Sequence, residues 1–184
     1  MAYKNKYGIF NMFNVLTSKV KARLFTTIFL VSTFASAFLS TAATASTTEQ
    51  ELDQFWQALS QSVINGEFEQ YKAGYHEDAI LVSGFSKNSY SIKQAFARWQ
   101  QGFADTKNGK MKAHVKFVWT QRFVSENTAH ETGMFKYSTT DDNGKTEDFI
   151  AHTTTLMVKK DGKWLIMMEN QKSKATEDEW KMAQ

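Results

Sequence analysis

The sequence predicts an α+β fold, in which three N-terminal helices pack on one face of a curved antiparallel sheet. Apolar residues recur with the helical period of 3.6 between residues 48 and 108. From there to residue 172 they recur with the period of two that is typical of strands. Helices followed by consecutive hairpin-linked strands give an α+β order, because a parallel sheet needs strands that alternate with helices.

The first helix is predicted to begin at Thr48, since Thr48 and Glu51 have the spacing of a capping box. The pair Asn65-Gly66 is predicted to end this helix, because Gly readily adopts the left-handed conformation of a helix C-terminus. One apolar stripe follows the helical spacing and is predicted to face the sheet: Leu52, Phe55, Trp56, Leu59 and Val63.

Two shorter elements and a third helix come next. A second helix is predicted over residues 67–75, and the apolar run over residues 79–82 predicts a buried strand. Ser91 and Gln94 repeat the capping-box spacing at the start of the third helix, which ends before Asn108. Its inward positions are predicted to be Ile92, Phe96, Trp99 and Phe103.

Four long strands are predicted in the second half of the chain. The first places Ala113, Val115, Phe117 and Trp119 on one side. The others cover roughly residues 128–139, 148–159 and 164–172, and the segments between them have the residues of hairpin turns.

The first 45 residues have the composition of a secretory leader. They contain five basic side chains and no acidic one, then an apolar run over residues 24–39 and the small-x-small sequence Ala43-Thr44-Ala45. We therefore predict a signal peptide over residues 1–45 that is cleaved before Ser46, and an exported protein, periplasmic or secreted. An uncleaved membrane anchor is the alternative, although the run is short and diluted by Ser, Thr and Ala. Translation from Met12 would change nothing downstream.

The remaining chain has the length of one domain, predicted over residues 46–172, with a polar tail over residues 173–184 that either frays or docks. Without the leader it carries 17 basic and 19 acidic side chains, hence a formal charge of −2. The sequence after the leader contains no basic cluster of the kind that would indicate nucleic-acid binding. No membrane partner is expected after leader removal. The absence of Cys excludes disulfides, thiolate zinc sites and a Cys nucleophile.

Several segments occur in the order found in a known superfamily. They are residues 63–67 (VINGE), 75–79 (YHEDA), 91–99, the strand with Gly133, and residues 160–164 (KDGKW). Together they resemble the nuclear transport factor 2-like (SnoaL-like) domains over about residues 48–172. This resemblance implies a cone-shaped half-barrel, a cystatin-like roll, with one mostly apolar cavity between sheet and helices. Because that superfamily contains enzymes, binding modules and assembly subunits, the fold does not decide the function.

The ketosteroid-isomerase branch of the superfamily has three catalytic positions, and the resemblance places them at Leu59, Ser83 and Thr154. None of these side chains supplies the Tyr or acidic groups of that chemistry. The sequence therefore argues against an isomerase of this type.

Three polar side chains are candidates for the cavity. If position 154 faces inward, the period of two also brings His152 inward, where it would act as an acid, a base or a ligand anchor. The alternatives are a His held by neighbouring Thr hydroxyls, or a surface position if the register is off by one. Glu131 is expected at the wet rim rather than as a buried pocket group with a raised pKa. Asn170 would fix a ligand carbonyl or make a structural hydrogen bond.

Aromatic residues of the helices and strands are expected in the cavity wall or in the core. The predicted ligand-binding set is Trp56, Leu59, Tyr75, Ser83, Trp99, His152, Thr154 and Asn170. No cofactor is predicted. No metal site is predicted either, because the four histidines show neither His-x-x-x-His nor His-x-His spacing.

Three functional hypotheses follow. The leading one is an exported module that binds a small, largely apolar molecule without catalysis. The second is a cyclase, dehydratase or hydrolase in which His152 works with Glu131 or Asn170, which requires that these groups converge in the cavity. The third is a homodimer formed through the open sheet face, on which the pattern places a mixture of charged and small polar groups: Lys116, Thr120, Arg122, Lys136 and Thr153.

Overall fold

The structure is a computed structural model that describes residues 47–184. The predicted leader, its cleavage before Ser46 and the membrane-anchor alternative lie outside the described residues. Within residues 47–184, no helix is long and apolar enough to span a bilayer. In chain order the elements are α1 Thr48–Ile64, α2 Phe68–Ala73, β1 Tyr75–Ser83, β2 Asn88–Ser91, α3 Ile92–Lys107, β3 Met111–Val124, β4 Thr128–Asp141, β5 Thr146–Lys160, β6 Lys163–Lys174 and α4 Glu177–Met182.

The capping box of α1 lies one residue earlier than predicted. The Thr47 hydroxyl accepts a hydrogen bond from the Gln50 backbone N–H at 3.2 Å, and the Gln50 side chain accepts one from the Thr47 N–H at 2.9 Å. Glu51, which was predicted to pair with Thr48, accepts a hydrogen bond from Lys159 on β5 instead. The predicted stripe packs inward, with Leu52, Trp56, Leu59 and Val63 buried.

The other two predicted helices are also present. α2 ends at Ala73, sooner than predicted, because Tyr75 already pairs with Ile166 of β6. Ser91 caps α3, but its hydroxyl accepts from the N–H of Lys93 rather than that of Gln94. The helix buries Ile92 completely and packs its other predicted inward residues, Phe96, Trp99 and Phe103, against the core.

The sheet is curved and open, with strand order β2-β1-β6-β5-β4-β3. Its pairings are antiparallel except for β1 with β6, which is parallel, so the sheet is mixed rather than wholly antiparallel. The predicted buried run lies in β1, but only alternate residues face inward: Leu81 is 2% exposed and Ile80 is 42% exposed. The polar strand β2 was not predicted and extends the edge of the sheet beside β1.

Bulges decide which side chains face the helices. In β3 the extra residue is Thr120, and in β6 the extra residues are Met167 and, further along, Lys172. Because an extra residue reverses the alternation, inward positions of β6 change from Ile166 before the bulge at Met167 to Glu169 after it. The bulge in β3 likewise turns Arg122 inward, which corrects its predicted place on the open face.

In β5 the residues that face inward are also displaced by one position from the predicted ones. Thr153 and Thr155 point to the helices and are almost completely buried. Thr154 and His152 therefore belong to the outer face. The expectation of Thr153 on the outer face and of Thr154 on the inner face was wrong for the same reason.

The C-terminal tail docks on the outer face of the sheet. Trp180 of α4 is 5% exposed and packs with Met134, Ile150 and Ala175. Lys136 adds ion pairs to Glu177 and Asp148 at 2.6 and 2.8 Å. Of the two outcomes that the sequence left open for this tail, docking is the one in the structure.

Candidate functional site

A cavity of about 330 Å³ lies between the helices and the concave side of the sheet. All three N-terminal helices and five strands, β1 and β3 to β6, contribute to its wall. Its lining contains nine aromatic residues, Trp56, Tyr71, Tyr75, Trp99, Phe103, Phe117, Phe135, Tyr137 and Phe149. The other residues in the wall are Val63, Arg98, Gly102, Val115, Thr153, Thr155, Glu169 and Gln171. A concave, mostly apolar space with a few convergent polar groups is the usual form of a small-molecule site.

Most of the aromatic rings of the wall pack edge to face or tilted on one another, in two groups. Tyr71 is the centre of one group, with its ring 4.9 Å from Phe103, 5.6 Å from Tyr75 and 6.0 Å from Trp99. Trp56 on α1 meets Phe117 on β3 at 4.6 Å. These contacts fix the rings in place, since aromatic pairs at such separations attract each other beyond simple area burial.

The polar part of the wall is one hydrogen-bonded cluster. Tyr75 donates to Glu169 Oε2 at 2.6 Å, and the Gln171 amide donates to Glu169 Oε1 at 2.7 Å. The Tyr71 hydroxyl lies 3.1 Å from that of Tyr75. Because Tyr75 donates its hydroxyl proton to Glu169, Tyr71 is the donor in the hydrogen bond between the two tyrosines.

Burial changes the acid–base behaviour of this cluster. Loss of water around Glu169 raises the pKa of its carboxyl, against the opposing effect of the two donors. Burial, with the nearby Glu169 charge, also raises the pKa of Tyr71 and of Tyr75. Both tyrosines therefore stay protonated at neutral pH and act as hydrogen-bond donors.

The mouth of the cavity carries an exposed aromatic pair and a cation. Phe149 is 36% exposed, and its ring lies 5.5 Å from Phe85 in the loop between β1 and β2. Arg98 on α3 is exposed and places its guanidinium 4.4 Å from the ring centre of Tyr90. The single basic residue of the lining is thus held to one side of the entrance.

Glu131 is fully buried beside the cavity, and its predicted position at a wet rim was wrong. Trp56 donates to its Oε2 at 2.8 Å, and Arg122 Nε lies 2.9 Å from its Oε1 without the direction of a good hydrogen bond. Arg122 also pairs with Asp53 at the surface. Burial raises the pKa of Glu131, while Trp56 and Arg122 act in the opposite direction. The Glu131 carboxyl therefore serves as the hydrogen-bond partner of Trp56 and the ion-pair partner of Arg122.

Three of the eight predicted ligand-binding residues line the cavity, namely Trp56, Tyr75 and Trp99. The other five, Leu59, Ser83, His152, Thr154 and Asn170, lie elsewhere. Leu59 is buried in the core and borders a second, more open groove with Phe55. Ser83 pairs with Gln171 next to the cavity, but its hydroxyl accepts from the Ser86 N–H.

The remaining three are on the outer face of the sheet. His152 is 35% exposed at its side chain, and its Nε2 lies 3.3 Å from Glu179 Oε1 on α4. Thr154 pairs with Asn170 in the next strand. His152 therefore does not converge with Glu131 or Asn170 on a point inside the cavity, which was the geometric requirement of the enzyme hypothesis.

Sequence reasoning missed Glu169 and Gln171, the two polar residues of β6 in the cavity. Alternation from Trp164 and Ile166 predicts that positions 168 and 170 face inward, and the bulge at Met167 reverses this. The only sign in the sequence is the run Glu169-Asn170-Gln171, polar residues directly after an apolar strand segment. This sign does not say which of the three faces the helices.

One group of potential metal ligands occurs within residues 47–184. His76, Glu77 and Asp78 bring one ligand atom each within 4.8 Å of one another. They are consecutive in β1, the two carboxylates are exposed, and His76 Nδ1 accepts a hydrogen bond from the Asp78 backbone N–H. Nothing else at this surface position indicates a ligand.

Helices packed on the concave side of an open, curved six-stranded sheet, with an apolar cavity between them, define the nuclear transport factor 2-like (SnoaL-like) class. The chain belongs to the calcium/calmodulin-dependent protein kinase II association-domain family, whose sequence model matches residues 48–175. The comparison with curated proteins gave no match.

Solved structures with this fold come from several organisms. A Xanthomonas campestris protein assigned to the same association-domain family is 22% identical, with a TM-score of 0.50 over 66% of this chain and 84% of that one. The association domain of the C. elegans kinase is 15% identical, with a TM-score of 0.51 over 70% and 95%. A nuclear transport factor 2-like protein of unknown function from Shewanella oneidensis is 18% identical, with a TM-score of 0.51 over 66% and 96%. At these identities the likeness shows the fold alone.

Proposed function

We propose that this protein binds a small, largely apolar molecule in the cavity between α1, α2, α3 and the sheet. The observation that carries the proposal is the wall itself: nine aromatic residues surround about 330 Å³ and leave one polar cluster at Tyr71, Tyr75, Glu169 and Gln171. Burying an apolar ligand there gains about 25 cal/mol for each Å² removed from water. The polar cluster would orient the ligand, as convergent polar groups do in such sites.

Catalysis is not included in this proposal. The enzyme hypothesis depended on His152, which lies on the opposite face of the sheet and faces Glu179. The positions that the isomerase chemistry requires are occupied by Leu59, Ser83 and Thr154, and none of these lines the cavity.

Binding can be tested by filling the cavity. Val115 lines it, whereas Val118 lies on the opposite face of the same strand. The protein is purified after expression of the full chain, and bound molecules are detected by native mass spectrometry and thermal shift. We expect Val115→Phe to abolish their binding. Val118→Phe is the matched control and should retain them. A ligand that binds both variants equally would contradict the proposal.

The leader prediction becomes part of the proposed function, since an exported binding module meets molecules outside the cytoplasm. We propose cleavage before Ser46. The intact mass of the protein recovered from the periplasm or medium should correspond to a chain that begins at Ser46. Recovery of uncleaved protein from the cytoplasm alone would contradict export.

Self-association is a second candidate, because the structure shows an apolar row that the sequence did not indicate. On the outer face, Ile80, Met168, Leu156, His130 and Phe123 are neighbours across five strands. Ile80, Leu156 and Phe123 are 42%, 37% and 61% exposed. We propose that a second copy of the chain covers this row, and the name of the C. elegans relative, an association domain, supports the idea.

Light scattering after size exclusion tests this second candidate over a range of concentrations. We expect a dimer or larger assembly that Phe123→Lys weakens. Ile64→Lys is the control, because Ile64 is a 40% exposed apolar residue of α1, away from the row. A monomer at every concentration would exclude the candidate.

A further inference from the structure

We infer that the ligand of the cavity is an organic cation, an amine or a quaternary ammonium, whose positive charge lies beside Glu169 against the faces of the surrounding tyrosine and tryptophan rings. This inference rests on the proposed binding function and adds the chemical class of the ligand.

The distribution of charge in the wall favours a cation. The lining has two charged side chains, Glu169 and Arg98. Arg98 is exposed at the mouth and stacks on Tyr90, which is outside the lining. Glu169 is held inside by Tyr75 and Gln171. The enclosed part of the cavity is therefore negative, and an anionic ligand would be repelled there.

The hydrogen bonding of Glu169 is compatible with a cation beside it. Both of its oxygens accept, one from the Tyr75 hydroxyl and one from the Gln171 amide. In the ionised form both oxygens accept in these directions, whereas in the protonated form one oxygen would donate to the Tyr75 hydroxyl oxygen. Burial disfavours the ionised form, as the raised pKa of Glu169 shows. A cationic ligand would offset this cost, because an opposite charge stabilises a buried carboxylate.

The carboxylate of Glu169 is accompanied by aromatic surface in the same wall. The rings of Tyr71, Tyr75 and Trp99 are neighbours, with centroid distances of 5.6 Å and 6.0 Å from Tyr71. Electron-rich ring faces attract a cation, and most strongly where water is excluded. A carboxylate together with several such rings favours an ammonium group over a neutral group of equal size.

Protonation of Glu169 should control this binding. The other titratable or charged groups in the cavity wall are Tyr75 of β1, Tyr71 of α2, Tyr137 of β4 and Arg98 of α3, and of these Tyr75 bonds Glu169 directly. The tyrosines remain neutral between pH 4 and 8, because burial raises the pKa of each. A fall in pH through the Glu169 pKa should therefore weaken the binding of a permanent cation, with no corresponding effect on a neutral molecule.

A matched pair of probes tests the inference on protein purified after expression of the full chain. Phenyltrimethylammonium and tert-butylbenzene have the same shape and differ in one charged nitrogen. By calorimetry or tryptophan fluorescence, we expect the cation to bind at least about tenfold more tightly at pH 7.5. Glu169→Gln keeps the size and acceptor oxygen but removes the charge, so it should abolish that preference. Glu147→Gln, at an exposed carboxylate paired with Lys145, is the control and should not change it.

The outcomes separate this inference from the proposed function. Equal or tighter binding of tert-butylbenzene would overturn the cation while leaving a small-molecule site. If neither probe binds and Val115→Phe displaces no ligand, both this inference and the proposed binding function are overturned. If Glu169→Gln does not fold, the pH series on the unaltered protein decides: affinity for the cation that does not fall with pH overturns the inference.

Discussion

The Trp56 indole N–H donates a hydrogen bond to Glu131 Oε2 across 2.8 Å, and this bond connects α1 to β4 next to the cavity. Glu131 is 0% exposed, so its carboxyl depends on protein groups for all of its partners. Loss of one partner of a buried polar group is costly, because the group left behind cannot be solvated.

Replacing Trp56 by Phe should therefore lower the free energy of unfolding by about 1–3 kcal/mol beyond the loss of packing. Urea denaturation measures the change. Trp164→Phe is a matched control, because Trp164 is also buried but donates to Glu51, which Lys159 still neutralises. Equal losses in the two variants would show that the bond to Glu131 adds nothing.

The stability of the protein should depend on the charge of Glu169. Its pKa is raised in the folded state by burial, so the native protein holds this proton more tightly than the unfolded chain. Stability is consequently lost as pH rises from the unfolded value of about 4.5 through the folded pKa. Glu131 has a shift of the same direction and contributes likewise.

In Glu169→Gln that contribution is absent. The difference in unfolding free energy between the unaltered protein and the variant should therefore move in favour of the variant as pH increases from 4.5 to 8. Urea denaturation at a series of pH values gives this difference. A difference that stays constant, or that moves the other way, would contradict a raised pKa at Glu169.

Gly133 is required by the close approach of β4 to β3. A Cβ atom at this position would lie 2.0 Å from the Val118 carbonyl oxygen. We expect Gly133→Ala to cost about 2–4 kcal/mol of stability or to prevent folding. Gly102→Ala, in the middle of α3 with no atom within 4 Å of the new Cβ, should stabilise by about 0.5–1 kcal/mol. Thermal denaturation of both variants is sufficient, and similar effects at the two sites would refute the argument.

The docked tail should contribute measurably to stability through Trp180. Trp180→Ala removes a buried ring from the cluster with Met134 and Ile150, at a cost of about 3 kcal/mol. Met182, in the same helix, is 88% exposed, so Met182→Ala should change stability by less than about 0.5 kcal/mol. Hydrogen exchange should show opening of residues 177–182 in the first variant and not in the second. If both retain protection, the helix is held by its ion pairs instead.

The elements of this fold could be predicted from the sequence because helix caps, apolar stripes and hairpin turns are local signals. Ser91 and the turn at Asp161-Gly162 are examples, and both occur where the sequence indicates them. The parallel pairing of β1 with β6 has no local signal, since it joins residues about 90 positions apart. β2 was missed because Asn88–Ser91 is short and polar, and its pairing with β1 gives no apolar alternation.

The cavity was predicted less well, because its lining depends on single-residue register. Trp56 and Trp99 were identified on helices, where a spacing error of one residue moves a side chain by only part of a turn. On strands the same error moves a side chain to the opposite face, as it did for His152 and Thr154. Glu169 is inward only because of the bulge at Met167, which sequence periodicity does not reveal.

The position of β6 between β1 and β5 determines when the sheet can form. β6 follows the other five described strands in the chain but occupies the middle of the sheet, so a nascent chain lacking residues 163–174 offers β1 no sheet neighbour except β2. The sheet pairing that connects β1 and β2 to the three-stranded meander can form only when β6 is present, although α1 contacts the meander directly. Such non-local closure slows folding, and it makes the domain intolerant of premature termination far beyond the few residues that would be lost.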